Sequence, residues 1–147
     1  MYEIETEIEI ETTPEALWAI LMGFPEYPKW NPFIRSIEGV AGEGQHLNLT
    51  IEPPGSKAMT IRPRLLAVAS GRELRWLGRL LLPGLFDGEH YLQIVPLTTG
   101  RVKFIQGEKF SGILVWTAKS GLLANTKKGF AAMNEALKSR AEGHRSL

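Results

Sequence analysis

An imidazole and a carboxylate facing each other in apolar surroundings can act as a general acid/base pair, and His90 and Glu108 have the spacing for it. Both positions are even-numbered, and they lie symmetrically about a turn centred near Thr98-Thr99. Folded as a hairpin, the segment sets His90 opposite Glu108, Leu92 opposite Gln106 and Ile94 opposite Phe104, all on one face. Proton transfer is the chemistry open to such a pair. His90 would be the shuttle, Glu108 its orienter or the base, and Asn31 or Gln106 the partner of a carbonyl. The simpler reading is structural or ligand-orienting: Glu108 accepts from backbone or from Trp30, and His90 is satisfied beside it.

The pair needs a sheet that is wet on one face and covered on the other. Tyr2–Glu11 supplies the first sign of one, with glutamate at every odd position from Glu3 to Glu11 and Ile4, Ile8 and Ile10 between them. The same alternation turns Leu47, Leu49 and Ile51 inward, then Met59, Ile61 and Leu65, with Arg62 and Arg64 outside. It also places Leu74, Trp76 and Gly78 inside, followed by His90, Leu92 and Ile94, and then Val102, Phe104, Gln106, Glu108 and Phe110. Seven strands are expected: Tyr2–Glu11, Phe33–Glu38, His46–Glu52, Ala58–Val68 (kinked at Pro63), Arg72–Leu80, Glu89–Val95 and Arg101–Phe110.

Two helical segments follow the first strand. Thr13 is suited to cap a helix that has Pro14 at its first position and Glu15 in its first turn, ending at Gly23. Phe24–Trp30, broken by Pro25 and Pro28, has room for one turn before Asn31-Pro32. From about Ile113 the period becomes helical, with Leu122, Thr126, Gly129, Met133 and Leu137 on one side, and Gly143–Leu147 is expected to fray. Leu80–Phe86 is unusually apolar for a loop; it fits a lid, an interface, or a connection folded onto the last helix.

Composition narrows the function. At 147 residues the chain fits one domain, 1–142, with a short tail. Net charge is +1 and no basic run exists, which argues against nucleic acid. Cysteine is absent, so thiol catalysis and thiolate metal sites are excluded, and a reducing cytoplasm fits. The three histidines, His46, His90 and His144, are too scattered to argue a metal, and no cofactor is expected. Gly39–Gly44 precedes a strand and is no nucleotide loop, and no Gly-x-Ser-x-Gly motif is present. Neither a signal peptide nor an apolar run long enough to span a bilayer is seen, so stable membrane insertion is not expected.

Strand, two short helices, six strands and a long C-terminal helix make an α+β helix-grip arrangement, a curved antiparallel sheet wrapped around one helix. Trp30–Ile34 (WNPFI), Leu74–Leu80 (LRWLGRL), Pro83–Leu92 (PGLFDGEHYL), Gly107–Gly112 (GEKFSG) and Gly129–Lys138 (GFAAMNEALK) resemble the SRPBCC group of the START/birch-pollen-allergen superfamily. The closest likeness is to bacterial polyketide cyclase/dehydrase-like members. The resemblance implies first a carrier or sensor of a small hydrophobic molecule or lipid; the expected state is a monomer or homodimer. It implies second a cyclase, dehydratase or isomerase acting on a polyketide-like or aromatic compound, and third an activator-like module for a chaperone ATPase. The expected lining from the sheet is Leu49, Met59, Ile61, Trp76, Leu92, Phe104 and Gln106, with His90 and Glu108. The helices and the turn before Pro32 would add Phe24, Trp30, Asn31, Leu122, Thr126 and Met133.

Overall fold

The computed structural model describes residues 2–80, 86–112 and 121–143. Strand β1 (Tyr2–Ile10) alternates as its glutamates require, with Ile4 and Ile10 buried and Glu3, Glu5, Glu7 and Glu9 exposed. Helix α1 (Pro14–Met22) starts where Thr13 Oγ1 accepts from the Ala16 N–H at 3.1 Å. A 3₁₀ turn (Phe24–Glu26) and the four-residue helix α2 (Tyr27–Trp30) follow. Tyr27 is fully buried, and its hydroxyl donates to the Leu21 carbonyl at 2.7 Å, fastening this turn to the end of α1.

The remaining described elements are β2 (Ile34–Glu38), β3 (Asn48–Ile51), β4 (Met59–Ile61), β5 (Arg64–Ala69), β6 (Glu73–Leu80), β7 (Phe86–Thr98), β8 (Arg101–Ser111) and helix α3 (Gly121–Ala141). All strand pairing is antiparallel, in the orders β1-β8-β7-β6-β5 and β2-β3-β4. Where seven strands were expected, the described residues hold eight, because Pro63 divides one of them. Proline has no N–H to donate, so the ladder breaks between β4 and β5. Its carbonyl still accepts from Leu47 N at 2.9 Å, and Leu65 exchanges bonds with Gly44 and Gln45 at 2.8 Å each. These bonds tie the two strand groups together across the break.

Helix α3 lies against β1 and β8 and touches α1 and α2. Its buried positions, Leu123, Thr126, Gly129, Phe130, Met133, Asn134 and Leu137, recur at three- and four-residue spacing, while Lys127, Lys128 and Glu135 are exposed. Gly129, a poor helix former, has a packing reason to be there: the Phe33 ring fills the space its missing side chain leaves. The expected helix start near Ile113 falls on residues 113–120, outside the described set, as do most of the apolar stretch Leu80–Phe86 and residues 144–147 of the tail. Among the described residues no helix is long and apolar enough to cross a membrane.

Candidate functional site

The hairpin β7–β8 pairs His90 with Glu108, Leu92 with Gln106 and Ile94 with Phe104, the register that symmetry about the turn predicts. Trp76 lies beside His90 on β6, and the two rings stack with centroids 4.9 Å apart. Phe130 of α3 meets the imidazole edge-on, also at 4.9 Å. His90 is therefore held between a strand and a helix and is only 4% exposed.

Its two nitrogens face different surroundings. Nε2 lies 2.9 Å from Gln106 Oε1. Nδ1 lies 3.6 Å from Glu108 Oε1, close enough for electrostatic interaction but too far for a direct hydrogen bond. The Glu108 carboxylate reaches this position because Gly88, its diagonal neighbour on β7, has no side chain; a Cβ there would collide with the carboxylate. Gln106 Nε2 donates to Asn134 Oδ1 at 2.8 Å, and Asn134 Nδ2 donates to Thr6 Oγ1 at 2.9 Å. Thr6 in turn donates to the Gln106 backbone carbonyl at 2.9 Å. This buried polar group links β1, β7, β8 and α3, which fixes the seat of the helix on the sheet.

Next to the pair is an apolar cavity of about 70 Å³, bounded by Phe33, Ile51, Pro53, Met59, Ile61 and Phe110, with Gly78, Gly88, Glu108 and Thr126. A neighbouring space of about 30 Å³ shares Phe33, Ile51, Ile61, Gly78, Gly88 and Glu108 with it and is bordered also by Ile34, Leu49, Trp76 and His90. A water needs roughly 10–15 Å³ on this measure, so the larger space admits a group well beyond a single water.

The arrangement can be compared with known proteins. A family model described as polyketide cyclase/dehydrase and lipid transport matches residues 1–142. The chain belongs to that family. Among solved structures it is similar to an aromatase/cyclase from Streptomyces, with a TM-score of 0.78 and 17% identity over 96% of this chain and 93% of that one. A START superfamily protein from Mycobacterium smegmatis gives 0.74 at 19% identity, covering 97% and 98%. Norcoclaurine synthase from Thalictrum flavum, in complex with dopamine and hydroxybenzaldehyde, gives 0.73 at 16% identity, covering 99% and 89%. At these identities the likeness shows a shared fold, the helix grip. By sequence, no curated protein matches the chain.

Of the lining expected from the sequence, Leu49, Met59, Ile61, Trp76, His90, Glu108 and Thr126 meet around the two spaces. The others, Leu122 apart, have different places. Leu92, Phe104 and Met133 are fully buried core residues, because the sheet and α3 close tightly at that end. Gln106 is taken up by its bonds to His90 and Asn134. Phe24 packs edge-on against Tyr27 and borders a different groove, with Met22, Ile37 and Ala41. Trp30 leans on Tyr27 with centroids 5.1 Å apart, and its Nε1 has no hydrogen-bond partner among the described residues, so the Trp30–Glu108 bond considered for the structural reading is not formed. Asn31 makes a turn: its Oδ1 accepts from Phe33 N at 2.9 Å and Ile34 N at 2.8 Å. The side chain of Leu122 lies outside the described set.

The sequence reading left out Phe33, Ile51, Pro53, Gly78, Gly88 and Phe110 as lining. Alternation had already turned Ile51, Gly78 and Phe110 inward, so that signal was available. Gly88 carried none, since what it contributes is the room it leaves.

Proposed function

We propose that the chain binds a small hydrophobic molecule, or the apolar part of a lipid, between the sheet and α3, with the polar end of the molecule at His90 and Glu108. The supporting observation is an apolar cavity that ends on an imidazole and a carboxylate held in place by stacking and by the neighbouring glycine. Apolar walls supply affinity in proportion to the area they dry, and a few placed polar groups supply orientation. Met59 lets the wall adapt to different shapes.

The test is saturable uptake of an environment-sensitive fluorescent probe, together with native mass spectrometry of protein purified from its own host. Thr126→Trp and Met59→Trp put an indole into the cavity and should abolish uptake while the far-ultraviolet circular dichroism stays unchanged. Absence of saturable uptake and of any co-purified molecule would remove the reading. A second reading, cyclase- or dehydratase-type turnover of a polyketide-like or aromatic compound, draws on the 3.6 Å approach of His90 Nδ1 to Glu108 Oε1 beside the cavity. His90→Gln should then eliminate turnover of a cyclisable substrate and leave its binding within a few-fold. Unchanged turnover in that variant would rule the reading out.

A further inference from the structure

We infer that Thr6, Asn134 and Gln106 act as positioning residues that lock His90 in its Nε2–H tautomer, so that Nδ1 and Glu108 present only acceptors and select a ligand whose leading end carries a hydrogen-bond donor. The inference rests on the binding reading above and identifies the chemical class of the ligand's head.

The lock follows from counting donors. A backbone carbonyl only accepts, so the Thr6 hydroxyl, 2.9 Å from the Gln106 carbonyl, spends its single proton there. Thr6 Oγ1 must therefore accept from Asn134, which turns the Asn134 amide N–H toward Thr6 and its Oδ1 toward Gln106. Asn134 Oδ1 then requires the amide N–H of Gln106, which leaves Gln106 Oε1 for His90. An acceptor 2.9 Å from Nε2 requires a proton on Nε2. Side-chain amides can be turned over without changing their outline, but one fixed carbonyl at the start of the relay removes that freedom from every member. Gln106 is fully buried and Asn134 is 4% exposed, so water does not readily relieve a wrong orientation.

In neutral His90 the proton on Nε2 leaves a lone pair on Nδ1, 3.6 Å from a Glu108 oxygen and bordering the same space. The two groups cannot satisfy one another while Glu108 is ionised, because neither then carries a hydrogen. A hydroxyl or amino group on an apolar body supplies it. An ether or a bare hydrocarbon does not.

Two measurements test this. Two-bond ¹H–¹⁵N correlation spectra of labelled protein, with the His90 signals assigned by comparison with His90→Gln, should show a protonated Nε2 and an unprotonated Nδ1. Thr6→Val removes the fixed end of the relay and should give a mixture of tautomers. Thr6→Ser keeps the hydroxyl and should restore the single form, which a purely structural role for the threonine methyl would not do. An Nδ1–H form, an imidazolium in the wild type, or a single unchanged tautomer in Thr6→Val would overturn the lock.

Titration with naphthol and its methyl ether, which share a ring system, tests the head group. Naphthol should bind at least about tenfold more tightly, and the preference should shrink in Thr6→Val and return in Thr6→Ser. Equal binding of both compounds would overturn the donor assignment and leave the cavity reading intact. Binding of neither would overturn both.

Discussion

Tyr27 shows how far one buried polar atom can influence stability. Its phenol is fully buried between Phe24 and Trp30, and burial holds its ionisation well above the usual tyrosine range. The unfolded chain loses that proton near pH 10 and the folded chain only later, so the stabilisation is complete below about pH 10 and declines as the pH rises past it. Tyr91 acts in the same direction, through burial first and then through the Glu3 and Glu5 carboxylates that its hydroxyl approaches at 2.6 and 2.7 Å. Urea midpoints should hold nearly steady up to about pH 10 and fall above it, approaching the equivalent of about 1.4 kcal/mol per pH unit for each phenol. Tyr27→Phe should flatten that slope; an unchanged slope would show that Tyr27 ionises as freely in the folded chain as in the unfolded one. Little of this was readable beforehand, since a tyrosine between two prolines in a short turn does not announce burial. His90 and Glu108 were readable because parity along a hairpin is simple arithmetic, whereas Asn31 was not, because an amide that closes a turn and one that meets a ligand look alike in sequence.

At the scale of elements, alternation and capping were the dependable signals, and closure of the layers decided what they could not. Strand β1 takes the faces its glutamates demand, yet Ile8 on its inner face is only half-buried while Ile10 is completely so. The charge test of this register therefore belongs at Ile10. Ile10→Lys places an unpaired ammonium against the core and should cost about 3–5 kcal/mol or prevent folding, and Glu7→Lys should stay within about 0.5 kcal/mol. Equal losses in urea unfolding would contradict the register. Helix α3 offers a second contest of magnitudes. Gly→Ala in an open helix gains about 1 kcal/mol, but at Gly129 the new methyl would enter the Phe33 ring. Overpacking costs about 1–3 kcal/mol, so Gly129→Ala should destabilise, and Phe33→Leu in the same chain should recover part of the loss. A more stable single variant would mean that Phe33 is free to move aside. Pro63 was legible as a kink, but that it would split a strand while its carbonyl kept the sheet continuous depends on partners distant in sequence.

Across the whole molecule the space between sheet and helix is packed unevenly. Ile10, Leu17, Leu21, Val102, Phe104, Met133 and Leu137 are fully buried, making one end a dry core. Toward the other end Ile51, Met59 and Ile61 stay half-buried, and with Phe110 and Thr126 they border the cavity. In the proposed reading, stability and binding fall to different ends of one layer. Met133→Trp should consequently behave as an overpacked core variant, losing about 1–3 kcal/mol, whereas Thr126→Trp, at the cavity, should lose less and stay folded. A ligand that occupies the open end binds the folded chain and not the unfolded one, so its affinity must appear as stability. At 100 times its Kd it contributes about 2.7 kcal/mol, which raises the Tm of a domain this size by roughly 5–10 °C. Naphthol at saturation should give that rise in the wild type and none in Thr126→Trp. Equal rises in both proteins, followed by calorimetry, would place the ligand outside the layer between sheet and helix and overturn the proposed site.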